Sequence, residues 1–129
     1  MRIGEAAQLV DVPDHVLRHW DDMGVVVPDR TAAGHRDYTA EHVHRLRVLR
    51  ACQSVGMSLA DIKRVLHRGK AGRAEMIAAH LRRIRIRQAQ LNDAETFLTH
   101  VVGCVHDLLT RCPDCSTYGR NAYGSRTVD

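Results

Sequence analysis

Apolar side chains in the first part of the chain recur at helical spacing in short segments, with turn residues between them. This spacing predicts helices at 3–9 and 14–23. Pro13 suits the first turn of the second helix, where its missing amide hydrogen has no helical partner, and Gly24 suits the helix end. Two short helices joined by a tight turn are typical of a helix-turn-helix unit.

A small hairpin is predicted next. The β-prone run at 25–27 precedes a turn that contains Gly34 and a second short strand that ends at Tyr38. A hairpin in this place would form a wing beside the helix-turn-helix unit.

Two further helices are expected after the wing. Thr39 suits a simple N-cap for a helix at 40–55, because His42 stands where a capping box would need an acid or an amide. Ser58 is the expected N-cap of a helix at 59–67.

The strongest periodicity of the chain runs through 77–109, where apolar residues recur at alternating spacings of four and three. We name this heptad row the seam; its positions are Ile77, Leu81, Ile84, Gln88, Leu91, Glu95, Leu98, Val102, Val105 and Leu109. No other predicted helix is long enough to cover the seam, so we predict a homodimer. The alternative is a long helix folded back onto the N-terminal part. Gly103 is a point where this helix can break, and Pro113 is expected to end it.

These patterns predict a mainly α fold in three parts. A winged helix-turn-helix domain spans 1–70, a long dimerisation helix spans 71–111, and a cysteine-containing loop and tail span 112–129. A basic stretch at 82–87 lies on the long helix, and we interpret it as a solvated face flanking the seam. Charges at such density repel unless they are paired with acids or phosphate.

Composition narrows the function. The chain has 129 residues, with 19 Lys and Arg against 15 Asp and Glu, and its net charge of +4 mildly favours an anionic partner such as nucleic acid. Aromatic residues make up 4%, too few for a platform of stacked bases. The apolar runs are too short to predict a membrane span or a signal peptide. We therefore expect a cytoplasmic protein with reduced thiols.

Cysteine spacing predicts a metal site. Cys104, His106, Cys112 and Cys115 form the pattern C-x-H-x5-C-x2-C, whose thiolates and imidazole suit zinc, copper(I) or mercury(II). A continuous helix would hold the first and second cysteines too far apart to share an ion, so a break between them, after Leu109, is required. The remaining cysteine, Cys52, is expected to be a small core residue.

Three stretches carry a family resemblance: LRHWD at 17–21, GHRDY at 34–38 and GMSLADIK at 56–63. They resemble the recognition helix, the wing and the following helix of the MerR family of transcriptional regulators. The resemblance covers roughly the first 70 residues and continues as architecture through the long helix. It implies a DNA-binding regulator and not an enzyme; the absence of a βαβ pattern around C-x-x-C also argues against a thioredoxin-like enzyme.

The resemblance also implies a mechanism. Such proteins dimerise through antiparallel long helices, as an antiparallel coiled coil, and bind palindromic operators in double-stranded promoter DNA. They distort the DNA so that the promoter elements realign for RNA polymerase. A short effector loop commonly follows the dimerisation helix.

Five residues are expected to contact DNA. His15 lies near the start of the helix that would enter the major groove, where it would reach a base edge. Arg18 and Trp20 resemble family positions that contact the DNA backbone, and Arg36 and Tyr38 resemble the wing contacts. Trp20 is equally expected in the core, because tryptophan is usually largely buried.

The effector is predicted to be a soft metal or a thiol-linked redox signal. An iron–sulfur cluster is less favoured, because only three clustered cysteines are present unless His106 substitutes. Divalent-metal sensors of the family place a Cys, and copper(I) sensors a Ser, near the start of the partner's long helix; neither occurs at 72–75. The alternatives are a regulator that senses a small organic ligand and an effector-free DNA-binding protein with a structural zinc.

Overall fold

A computed structural model of the protein describes residues 1–105 and 112–123. The chain divides into an N-terminal unit, Met1–Ile77, and a C-terminal unit that begins at Ala78. The N-terminal unit contains α1 (Ile3–Val10), α2 (Asp14–Asp22), β1 (Asp29–Arg30), β2 (Arg36–Asp37), α3 (Ala40–Ser54) and α4 (Leu59–Leu66). Helix α5 (Arg73–Gly103) begins at the end of this unit and continues into the C-terminal unit, which also contains α6 (Pro113–Tyr123). The mainly α class and the winged helix-turn-helix are confirmed.

The turn between α1 and α2 is held from α3. Asp11 adopts the left-handed conformation that ends α1, with φ of 55°. The Arg50 guanidinium donates to the carbonyl oxygens of Val10 and Asp11, the latter at 3.0 Å. Because these oxygens have no helical partner, the arginine satisfies the end of α1 and ties it to α3.

The wing lies slightly later in the chain than the pattern predicts. Strands β1 and β2 are antiparallel, with Asp29 opposite Asp37 and Arg30 opposite Arg36. The run at 25–27 is not the first strand: Val25 and Val26 are buried in the core. Because these two valines pack in the core with residues of the helices, their packing outweighs their strand propensity. The strand prediction at 25–27 was therefore wrong.

The start of α3 is a full capping box. The Thr39 hydroxyl accepts from the amide of His42, and His42 Nδ1 accepts from the amide of Thr39 at 2.9 Å. We predicted only a simple cap. A neutral imidazole nitrogen accepts a hydrogen bond much as a glutamate oxygen does, so His42 takes the acid's part.

Two arginines satisfy the C-terminal end of α4. Arg73 donates to the carbonyl oxygens of Arg64 at 3.0 Å and Val65 at 3.1 Å, and Arg45 donates to that of Leu66 at 2.7 Å. The first residue of α5 is therefore anchored to α4 within the N-terminal unit. Helix C-termini favour cations, so the arrangement is also electrostatically favourable.

The end of the long helix differs from the prediction. Helix α5 ends at Gly103 and does not run on towards Pro113, and Pro113 begins α6. The interpretation of 112–129 as loop and tail is wrong over the 11 residues of α6. Proline is favourable in a first helical turn, and Asp114 beside it complements the helix dipole. Seam positions Val105 and Leu109 therefore lie beyond α5, and Leu109 is outside the described residues.

Among the described residues, no helix is long and apolar enough to cross a membrane.

Candidate metal centre and DNA-binding face

Four soft donors meet where α5 ends and α6 begins. His100 lies in the last turn of α5, and Cys104 follows the helix; Cys112 precedes α6, and Cys115 lies in its first turn. Their side-chain donor atoms all lie within 4.8 Å of one another. In a tetrahedral zinc site, two sulfurs at about 2.3 Å from the ion would be about 3.8 Å apart, so small side-chain movements complete such a site.

The cluster is largely shielded from solvent. Cys112 and Cys115 are each 2% exposed, while His100 and Cys104 are half-buried. His100 Nε2 lies 3.1 Å from Cys112 Sγ, and His100 Nδ1 lies 3.9 Å from a carboxylate oxygen of Asp114. A carboxylate near the second ring nitrogen is the usual partner of a metal-binding histidine, since it fixes the ring's orientation.

Cys112 is poised as a thiolate. The backbone amide of Cys115 is the main cause that lowers the pKa of Cys112, to about 6; the side chains of His100 and Cys104 and the amide of Asp114 lower it further, while burial opposes them. A thiol with this pKa is mostly ionised near neutral pH. The thiolate is the form that binds a metal ion.

An aromatic pair joins the same two helices beside the cluster. Phe97 of α5 and Tyr118 of α6 stack with centroids 4.3 Å apart and planes 6° apart. Phe97 precedes His100 by three residues, and Tyr118 follows Cys115 by three. The stack therefore supports the α5–α6 packing about one turn from the donors.

The exposed face of α2 carries the N-terminal unit's candidate DNA contacts. His15 and Arg18 are exposed and three residues apart, so they lie on one side of the helix. Arg36 of the wing donates to Asp21 of α2 at 2.8 Å, and this hydrogen bond raises the pKa of Arg36. The ion pair holds the wing beside α2.

The comparisons with known proteins agree with this arrangement. Residues 1–69 match the family described as "MerR HTH family regulatory protein", and residues 43–101 match the family described as "MerR, DNA binding". This chain belongs to the MerR family. It is therefore a DNA-binding transcription regulator, and the family's members are not enzymes.

Relatives of this MerR-family chain match it over most of its length. It is 30% identical over 121 residues to the "HTH-type transcriptional regulator HmrR" of Rhizobium leguminosarum bv. viciae, covering 89% of this chain and 92% of the relative. It is 29% identical over 117 residues to the "Mercuric resistance operon regulatory protein" of Bacillus cereus, covering 88% and 86%. The transcription regulator PbrR691 of Ralstonia metallidurans CH34, solved in complex with lead(II), shares the fold with a TM-score of 0.53, 23% identity and coverage of 91% and 98%.

The predicted metal ligands are partly brought together. Cys104, Cys112 and Cys115 meet in the cluster, whereas His106 lies outside the described residues. The described fourth donor is His100, which sequence reasoning missed. Its signal was the spacing H-x3-C, which places His100 one helical turn before Cys104. Cys52 packs against the core of the N-terminal unit.

Two of the predicted DNA contacts are buried. Trp20 is 3% exposed and Tyr38 is 1% exposed, and both belong to the core. Burial raises the pKa of Tyr38, and its hydroxyl is enclosed without a hydrogen-bond partner in the described structure. In the single chain, these two side chains therefore offer no exposed surface to DNA.

Proposed function

We propose that this MerR-family protein is a dimeric regulator whose signal is a thiophilic divalent ion, zinc(II) or mercury(II), held by His100, Cys104, Cys112 and Cys115. The observation that carries the proposal is the meeting of these four donors within 4.8 Å on one chain. Three thiolates and one imidazole form a donor set that zinc takes in four-coordinate sites, and soft sulfur also suits mercury(II).

Two comparisons support a metal signal. The name of one relative assigns it to the mercuric resistance operon, and a structural neighbour was solved with lead(II). Both ions are thiophilic. The lowered pKa of Cys112 favours its thiolate, which is the form that binds such ions.

The exposed seam of α5 supports the proposed dimer. None of the residues of α5 is buried in the single chain, and Leu91 and Leu98 are 55% and 60% exposed. A second copy would cover them. A two-fold dimer would present two helix-turn-helix units to a palindromic operator. We infer that it distorts promoter DNA for RNA polymerase in the cytoplasm, and that the ion alters this distortion by tying α5 to α6.

Within each DNA-binding unit, we assign His15 to base edges in the major groove and Arg18 to the phosphate backbone. Arg36 positions the wing through Asp21, and Trp20 and Tyr38 support the face from the core. Backbone contacts of this kind set register and carry little sequence information.

Arg18→Ala is expected to weaken operator and non-operator binding to a similar degree. The slope of binding affinity against salt concentration should fall by about one, because one phosphate contact is lost. A fluorescence-anisotropy titration at several salt concentrations measures both. Loss confined to the operator would instead assign Arg18 to base reading.

The metal proposal is tested on the full chain purified without oxygen. Elemental analysis should give one ion per chain in the wild type and in Cys52→Ser, and much less in Cys112→Ser. Transcription from the bound promoter in vitro should respond to the ion in the first two and not in the third. Absence of uptake of zinc, copper(I) and mercury(II) would reject the site. Uptake without any effect on transcription would make it structural.

A second candidate signal is a small organic ligand. A groove of about 900 Å³ runs between α5 and α6, with Phe97 and Tyr118 in its lining, and it shares His100 with the cluster. Its mixed apolar and polar walls and its volume suit a small molecule. The organic-ligand signal is favoured only if two results are obtained together. Transcription must not respond to metals or thiol reagents, and Phe97→Ala must change the response to added compounds.

A further inference from the structure

The seam of α5 is exposed from Leu81 to Val102, whereas its first position, Ile77, is half-buried. Helix α6 covers a different side: Ala94, Phe97 and His100 are half-buried, while the neighbouring seam residues Leu91 and Leu98 are exposed. The stacked Phe97–Tyr118 pair fixes α6 on that side. The seam is thus left open for a second copy, as the proposed dimer requires.

Charge is segregated along α5. The first half carries four closely spaced arginines, and the second half carries only acids among its fully charged side chains, Asp93 and Glu95. The arginines are Arg82, Arg83, Arg85 and Arg87. All six charged side chains are exposed. Among the described residues of the chain, none of the six has an oppositely charged partner. A parallel pair of helices would place arginine beside arginine, whereas an antiparallel pair places acids beside arginines.

The heptad spacing then selects one register. Only one antiparallel alignment pairs all seam positions from Ile77 to Val102. In it, Leu91 lies opposite the partner's Gln88, Leu98 opposite the partner's Leu81, and Glu95 opposite the partner's Ile84. A shift of one heptad places the basic stretch against itself or against 99–104, where no acid occurs.

We propose that Glu95 pairs with the partner's Arg87, twice in each dimer, and that this pair sets the register and the choice of partner. The inference rests on the dimer proposed above. Arg87 flanks the seam three residues after Ile84, about 4.5 Å further along the helix, which is within reach of an arginine side chain. A seam carboxylate that loses water on dimerisation is costly without such a partner. Polar seam residues are a known means of specifying register.

A charge swap tests the pair in the full chain. Glu95→Arg and Arg87→Glu should each weaken the homodimer about tenfold, because each replaces two attractions by two repulsions. An equimolar mixture of the two variants should form a heterodimer about as tight as wild type, since both of its pairs are again opposite in charge. Sedimentation measures the dissociation constants, and native mass spectrometry counts the mixed species.

The chain that carries both changes provides the selectivity test. It should pair with itself but poorly with wild type, because a mixed dimer joins like charges at both sites. Arg82→Glu is the matched control: it makes the same charge change on the outer face and should leave pairing unchanged. Circular dichroism establishes that each variant is folded.

The outcomes distinguish failure of the proposed dimer from failure of the Glu95–Arg87 pair alone. If wild type stays monomeric on operator DNA, the proposed dimer is wrong. If wild type is a dimer but the mixture is no tighter than the single variants, or if Arg82→Glu has the same effect, only the Glu95–Arg87 pair is overturned.

Discussion

The two units of the chain achieve their structure by different means. The N-terminal unit has a contiguous core in which Leu17, Leu46 and Leu49 are fully buried, and side chains of the same unit satisfy the ends of α1 and α4 and the starts of α3 and α4. The described part of the C-terminal unit has a long helix without buried residues, one aromatic stack and a cluster of soft donors. The first unit is stabilised by apolar burial, which requires no other molecule. In the proposed function, the second is completed by a metal ion and a second copy.

Metal removal should have the largest effect, and it should affect only the C-terminal unit. A chelator is expected to unfold α6, whose 11 residues are held to α5 by the cluster and one stack, because structural metal sites contribute folding energy directly. Fluorescence of Trp20, the only tryptophan, should stay unchanged, since it lies in the N-terminal core. Circular dichroism and fluorescence recorded together measure the difference. A parallel loss of both signals would show that the two units are not independent.

Leu46→Ala should have the next largest effect, and in the opposite unit. Removing a fully buried leucine should lower the free energy of unfolding of the N-terminal unit by about 3 kcal/mol. Urea unfolding followed by Trp20 fluorescence measures the loss. Ile86→Ala is the control, because Ile86 is exposed on α5 outside the seam and should leave this transition unchanged. Equal losses would contradict the separation.

Asp114→Asn tests whether the Asp114 carboxylate orients the His100 ring. The carboxylate lies 3.9 Å from His100 Nδ1 and binds no ion itself in the proposed geometry. Metal affinity is expected to fall about tenfold, as for other outer partners of metal-binding histidines. Competition with a chromophoric chelator measures it. An unchanged affinity would show that Asp114 does not orient the ring.

Thr39→Ala should give the smallest effect and confine it to the N-terminal unit. Loss of the hydroxyl that accepts from the His42 amide should cost about 1 kcal/mol of unfolding free energy. Metal affinity should stay at the wild-type value. A change in metal content would be incompatible with independent units.

Sequence reasoning worked best where local chemistry decides the structure. The helices of the N-terminal unit were predicted to within one or two residues, because caps such as Thr39 and Ser58 and glycines such as Gly56 act locally. His42 as a capping acceptor was missed because the usual rule counts only acids and amides. Val25 and Val26 were misassigned because core packing outweighed their strand propensity.

Three of the four donors of the candidate metal site were predicted from the sequence. C-x-x-C indicated soft donors without reference to the fold, whereas His100 was recognised only when the structure placed it beside the three cysteines, although its H-x3-C spacing to Cys104 is visible in the sequence. Gly103 was named as a point where the helix can break, but the heptad seam continues past it, so the required break was placed after Leu109. Proline was expected to stop a helix at 113, although it is equally suited to begin one.

X-ray absorption of the metal-loaded protein, combined with the metal-to-chain ratio, tests the proposed centre most directly. Wild type should hold one ion per chain with three sulfurs and one nitrogen in its shell, and His100→Ala should lose the nitrogen while Cys104, Cys112 and Cys115 keep the sulfurs. One ion per two chains, or a shell unchanged in His100→Ala, would contradict a centre built from these four residues of a single chain.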